Sequence, residues 1–370
     1  TVVGLLTALG FTAAAWNGNA VHFGMMQTDN FALAFSGVCI VGTLLIFLLT
    51  QNYFHSKSDN IAEYYTLILF ALAGMIMMVS YKNMAMLFVG LEIMSVSLYI
   101  LAGIRKKDFA SNEASLKYFL MGAFSTGFLL FGITLIYGAT GSFDLDKIQA
   151  YLVDNSKAIS PIFYPGVILM MIGLCFKVGA APFHFWTPDV YEGSPTLITT
   201  FMSTVVKTAG FAFSLVVIGA NSQNSVLVYA AAYTFASIIA FAVLILVKQK
   251  TGSDSFESFN GLGKKNPLVA LSLTVAMLSL AGIPLTAGFI GKYLMFLNVM
   301  EQYHTFLVAF SILNALVGFY YYFRVIVAVW FKDGGEIELS TPVQYKVVLA
   351  VSVAITLILG IYPAIILNLI

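Results

Sequence analysis

Long apolar runs alternate with short polar breaks from one end of the chain to the other. At the length needed to cross a bilayer, ~20 residues, about eleven runs can be marked. They lie near 1–16 (short), 31–50, 62–80, 83–104, 114–138, 162–184, 195–219, 224–247, 267–300, 305–331 and 344–368. A β-barrel would show short alternating segments instead. The pattern predicts an all-α, polytopic membrane helical bundle, with residues 1–370 forming a single integral membrane domain. The run at 267–300 is too long for one span. Its centre reads "SLAGIPLTAGFIGKY", with Pro284 between glycines, and a broken or re-entrant helix is expected there. A second break falls at Pro182, near the end of the run 162–184. Each break has a lysine beside it, Lys177 before Pro182 and Lys292 after Pro284. Matching interrupted helices in two halves of a chain point to an inverted-repeat transporter core with two broken transmembrane helices.

The polar breaks set an orientation. If the spans alternate, Lys57, then Arg105, Lys106 and Lys107, then Lys248, Lys250, Lys264 and Lys265, then Lys332 all fall on one side. That side is cytoplasmic by the positive-inside rule. The opposite side carries Asp144, Asp146 and Asp154, against Lys82, Lys147 and Lys157. The chain opens on Thr1 and runs straight into an apolar stretch with no basic flank, so a leading helix before residue 1 is expected.

Composition agrees with the pattern and removes several functions. Of 370 residues, 60% are hydrophobic and 9% charged, where soluble proteins have about a quarter charged. The net charge is +1, and no basic stripe suggests nucleic acid. Cys39 and Cys175 lie inside apolar runs and read as small core residues. Metal-ligand spacings, a Walker motif and a GxGxxG with a ribose-binding acid are all missing from the sequence. The Met-rich stretch "GMIMMVSY" reads as core packing.

Four ionisable residues stand well inside apolar runs. Glu92 is in "MLFVGLEIMSVSLYIL", Lys177 in "MMIGLCFKVGAAPF", Lys207 in "TFMSTVVKTAGFAF" and Lys292 in "AGFIGKYLMF". A charge at the bilayer centre costs at least roughly 2.5–3.5 kcal/mol, so each requires a partner, water or a neutral state. Three lysines and one acid cannot all pair. Lysines whose partners move are what a proton-loading element needs. His184, just past Pro182, is a further candidate, either as a proton shuttle or as an interfacial or capping histidine. Trp186 reads as an interfacial anchor. Asp189 and Glu192 read as caps of the following helix. Glu113 and Lys117 form an i,i+4 pair, and Arg324 is expected to snorkel.

"GLCFKVGAAPFHFWTPDVYEGSPTLITTFMSTVVKTAGF", "LFVGLEIMSVSLYILAG", "EASLKYFLMGAFSTGFLLFG" and "LSLAGIPLTAGFIGKYLMF" closely resemble the antiporter-like subunits of proton-translocating NADH–quinone oxidoreductase (respiratory complex I). The resemblance spans nearly the whole chain. The "PFHFWTPDVYEGSP" form and a lysine at position 292 are most similar to the subunit N type. It implies the Mrp antiporter-like fold and a bacterial inner-membrane location. It also implies a proton relay of Glu92, paired with Lys177, then Lys207 and Lys292. Quinone reduction would take place elsewhere in the complex. No cofactor is implied in this chain. NADH, FMN, Fe–S clusters and quinone are expected on other subunits, and the implied neighbours are a subunit of type M and small subunits of types K, J and A. A subunit of a multi-subunit cation/proton antiporter, or of a related ferredoxin-linked oxidoreductase, is the alternative. One departure stands out. After the helix with Lys207 the family has two more helices, while here "GANSQNSVLVYAAAYTF" passes directly to the next run. A helix hairpin is therefore expected to be missing near 219–226.

Overall fold

A computed structural model of the chain describes residues 1–51, 53, 61–156, 158–211, 223–301, 305–334 and 337–367. Lys57, Lys157 and residues 219–222 of the expected junction lie outside them. Among the described residues, seven helices are long and apolar enough to cross a membrane. Four shorter apolar helices add to them, and two of these are the halves of the run 267–300. The chain divides into two compact units, Thr1–Ile40 with Lys57–Met202 and Ala209–Ser214, and Val41–Ser56 with Ser203–Thr208 and Leu215–Ile370.

The first unit holds α1 (Val2–Ala14), the start of α2 (Asn30–Thr50), α3 (Ile61–Val79), α4 (Met84–Ala102), α5 (Phe109–Thr140), α6 (Leu145–Asp154), α7 (Phe163–Val178), α8 (Thr187–Gly193) and α9 (Thr196–Phe201). Lipid offers no hydrophobic drive for helices to associate, so close packing rests on small residues. Gly74 of α3 and Gly90 of α4 face each other so closely that a Cβ on either would meet the other's carbonyl oxygen. Gly132 of α5 and Gly166 of α7 do the same. Met75 and Met78 are fully buried, as the packing reading of the Met-rich stretch expects.

Two elements were not expected. A short antiparallel hairpin, β1 (Ala20–His22) and β2 (Met26–Thr28), lies in the first polar break. Its backbone bonds to the α3–α4 loop, which bonds in turn to the α5–α6 loop. Gln27 N–H donates to Ser80 O at 2.7 Å, Lys82 N–H to Met25 O at 2.9 Å, and Leu145 N–H to Lys82 O at 3.1 Å. The second is α6, an amphipathic helix in the acidic loop, whose N-cap Asp144 accepts from the backbone of Asp146 and Lys147. Lys82 pairs with Asp146 there at 2.7 Å, and that hydrogen bond holds the ammonium above the usual lysine range.

The second unit is arranged around α10 (Gln223–Thr251), which is buried along most of its length. Against it pack α12 (Pro267–Ala281), α13 (Ala287–Glu301) and α15 (Val343–Ile361), while α14 (Thr305–Phe331) packs on α12. A short helix α11 (Leu262–Lys265) precedes α12. The basic loops of this unit are tied together: Lys264 pairs with Asp333 at 2.6 Å, and Asn266 bonds to the backbone of Ile337 and Leu339. The guanidinium carbon of Arg324, an exposed residue near the end of α14, lies 4.5 Å from the Phe256 ring centroid as a cation–π contact.

Candidate functional site

In the first unit the helix break is a defined stop. α7 ends at Gly179 with φ 68°, a left-handed conformation that suits glycine. Ala180 N–H donates to Cys175 O at 2.8 Å and Gly179 N–H to Phe176 O at 3.0 Å. This is the Schellman arrangement that satisfies the last carbonyls of a helix. Lys177 therefore stands in the last turn of α7, not in mid-helix, where its cation meets the negative end of the helix dipole. Its side chain is buried, and Nζ donates to Ser95 Oγ at 2.9 Å and to the Tyr99 hydroxyl at 3.1 Å, both on α4. Glu92 lies on the same face of α4, three residues before Ser95, and is close enough to act on Lys177 electrostatically. The expected direct Glu92–Lys177 bond is not formed. Glu92 Oε1 is buried and accepts no hydrogen bond.

Trp186 corrects the anchor reading. It is 2% exposed, donates from Nε1 to Phe176 O at 2.9 Å and stacks on Tyr118 at 4.7 Å. The tryptophan thus braces the end of α7 next to Lys177, adding a side-chain donor to a carbonyl that also accepts from Gly179 N–H. The cap reading of Asp189 and Glu192 also falls. Both lie inside α8, and Asp189 pairs at 2.6 Å with Lys117, which also holds Glu113 at 2.7 Å as expected. His184 is exposed, and its carbonyl accepts from Thr187.

In the second unit the stop is built the same way. α12 ends at Gly282 with φ 84°, and Ile283 N–H donates to Leu278 O at 3.0 Å. Pro284 follows, as Pro182 follows Gly179. Lys292, on α13, reaches back over this end. Its Nζ donates to Leu280 O at 2.7 Å and to Ala281 O at 3.3 Å. Both lysines of the broken helices thus sit at helix C-termini, one on its own helix and one on the preceding half. Lys207 is half-buried and follows directly on a π-helical turn, Met202–Val206. Such turns interrupt the regular ladder and recur at functional sites. Beside it Thr208 shares a short hydroxyl–hydroxyl bond with Thr234 of α10.

Comparison with known proteins gives one family. Residues 81–218 and 208–318 match the family described as NADH:quinone oxidoreductase/Mrp antiporter, TM. The chain is 38% identical to NADH-quinone oxidoreductase subunit N of Cytophaga hutchinsonii, over 99% of this chain and 92% of that one. The chain belongs to the subunit N family of NADH–quinone oxidoreductases. A subunit of respiratory complex I from Thermus thermophilus superposes with a TM-score of 0.83 at 29% identity, covering 99% of this chain and 92% of that one. A chain of the Mrp complex of Dietzia superposes at 0.79 with 15% identity, covering 100% and 88%, and shares the fold.

This subunit N relative is a multi-pass protein of the bacterial inner membrane, a membrane subunit of a proton-translocating oxidoreductase. The structure brings Glu92 and Lys177 together in its first unit and sets Lys207 and Lys292 in its second. Sequence reading missed Ser95 and Tyr99. The signal was present: counted from Glu92 they fall at i+3 and i+7, the same helix face. It also missed the π-turn before Lys207, which leaves no mark in the residue types.

Proposed function

We propose that this chain moves protons through Glu92, Lys177, Lys207 and Lys292 in that order, driven by quinone reduction on other chains of the complex. The observation that carries the reading is Lys177, a buried cation held by two hydroxyls with a buried carboxylate oxygen close by and unbonded. A structural ion pair would close that contact. A relay leaves it open, because a charge that is to be passed on must have more than one place to rest. Lys292 supports the reading from the other unit, since a lysine held by two carbonyls can release a proton while the carbonyls keep the amine in place. The test is Lys207→Ala, and separately Glu92→Ala, in the assembled complex, with proton uptake measured against NADH oxidation. Loss of coupled pumping is expected, and wild-type coupling in both variants would remove the relay.

The flavin, the Fe–S clusters, the NADH site and the quinone are assigned by this reading to other subunits, with subunits of types M, K, J and A as membrane neighbours. A second reading, a subunit of a cation/proton antiporter, draws on the Mrp-like fold. Purification separates the two. Copurification with flavin and Fe–S chains favours the first, and activity in Na⁺/H⁺ exchange without them favours the second. We further propose that the natural protein carries, after the Lys207 helix, a helix pair that the 370-residue sequence omits. The alignment to the Cytophaga subunit runs to 429 positions where this chain has 370, and the two family matches overlap at 208–218. The mass of the subunit isolated from its membrane tests this, and a mass equal to that of the 370 residues would refute it.

A further inference from the structure

We propose that Lys177 has two stations on α4, the Ser95–Tyr99 pair where it rests in this structure and Glu92, and that Ser95 and Tyr99 are positioning residues for the relay. The proposal rests on the relay reading and adds the place where the lysine waits when it has left its carboxylate. Three observations carry it. Nζ is bonded to Ser95 Oγ and the Tyr99 hydroxyl and also lies 5.6 Å from the Tyr99 ring centroid. Two hydroxyl dipoles and a ring face are partners for a cation that carry no opposing charge. Glu92 Oε1 is a buried acceptor with no donor, and such groups are rare enough in native structures to require a reason. Glu92 stands one helical turn from Ser95, the nearer half of the first station, and two turns from Tyr99. Three residues of rise give about 4.5 Å, a travel that the flexible four-carbon stem of lysine covers by rotation while the α7 backbone stays fixed.

The surroundings fix one end of that travel. Trp186 holds the Phe176 carbonyl, so the Cα of Lys177 has little freedom. Tyr99 is held edge-on by Tyr118 at 4.8 Å and by Phe119 at 5.7 Å, and its hydroxyl is seated against Gly122 of α5, where any Cβ would collide with it. The hydroxyl station is therefore rigid and the lysine head is the moving part. Two stations of unequal polarity let the lysine be either coupled to Glu92 or separated from it, and a population shift between them changes that coupling without any helix moving.

The experiment compares Ser95→Ala/Tyr99→Phe with Glu92→Gln in the assembled complex. Tyr99→Phe keeps the ring packing and Ser95→Ala removes one oxygen, so assembly is checked by recovery of the complete complex. In the double variant a structure of the complex is expected to show Nζ on Glu92, and NADH-driven pumping is expected to fall at least about tenfold, since each of the two hydrogen bonds lost to the charged group is on that scale. Ser95→Thr with Tyr99 intact keeps a hydroxyl and is expected to pump normally, which a purely packing role for Ser95 would not give. Nζ staying in its present position in the double variant, or undiminished pumping, overturns the proposal. Wild-type pumping in Glu92→Gln removes the relay reading instead, whatever position Nζ takes in the double variant.

Discussion

A single methyl group placed at two glycines of α5 should have opposite effects. Gly132 lies against α7, and a Cβ there would stand 2.5 Å from Met170 N and 2.6 Å from Gly166 O, both backbone atoms. Ordinary contact begins near 3.4 Å, so Gly132→Ala forces the two helices apart by nearly an ångström, and neither partner atom can rotate away. Overpacking of this kind costs about 1–3 kcal/mol. Gly127, five residues earlier, is exposed, and a Cβ there meets nothing within 4 Å. Gly127→Ala is expected to be neutral or to gain up to about 1 kcal/mol, the difference in helix propensity. The assay is retention of the subunit in the detergent-solubilised complex after heating, followed through the midpoint temperature. The displaced α7 also carries Lys177, so Gly132→Ala should reduce coupled pumping while Gly127→Ala leaves it intact. Equal midpoints for the two variants would refute the claim that glycine contact sets the α5–α7 spacing.

Other outcomes follow from single contacts. Lys292→Met strips the donor from Leu280 O and Ala281 O and should lower stability by about 2 kcal/mol, seen as a reduced midpoint of the complex. An unchanged midpoint would show that the lysine does not cap α12. Trp186→Phe keeps an aromatic ring against Tyr118 but loses the bond to Phe176 O, so a cost of about 1–2 kcal/mol and impaired pumping are expected. The hydrogen bond from Lys248 holds the Asp254 carboxyl below its usual 3.8. A depressed carboxylate contributes above its unfolded value and loses that contribution as pH falls through its folded value. Asp254→Asn should therefore cost at most about 1 kcal/mol, with the same loss at pH 7 and pH 5, narrowing only below about pH 4. A cost that vanishes between pH 7 and pH 5 would contradict the assignment.

Much of the fold was legible because a bilayer leaves few choices. Runs of about twenty apolar residues become helices, and the breaks at Pro182 and Pro284 could be read directly, since proline and glycine act locally. The four intramembrane charges were legible for the same reason: they stand out against an apolar background. What could not be read depends on contacts distant in sequence. Asp189 pairs with Lys117, 72 residues away, so no local pattern reveals it. Trp186 looks like an interface residue until the carbonyl of Phe176 is placed beside its Nε1. The Glu92–Lys177 pairing was expected from the family resemblance, and two neutral hydroxyls, one and two turns along α4, hold the lysine instead. The hairpin at 20–28 has strands of three residues, too short to show an alternating pattern.

That hairpin bears on how this end of the molecule can change over evolutionary time. The bonds joining Gln27 to Ser80, Lys82 to Met25, Met84 to Phe143 and Leu145 to Lys82 run from main chain to main chain. Substitution leaves such bonds in place, apart from proline at a donor, whereas adding or removing one residue shifts every donor past its acceptor. The loops around residues 23–29, 80–84 and 141–145 should therefore vary in residue type among relatives while keeping their lengths. Insertions tolerated elsewhere on the surface should be scarce there.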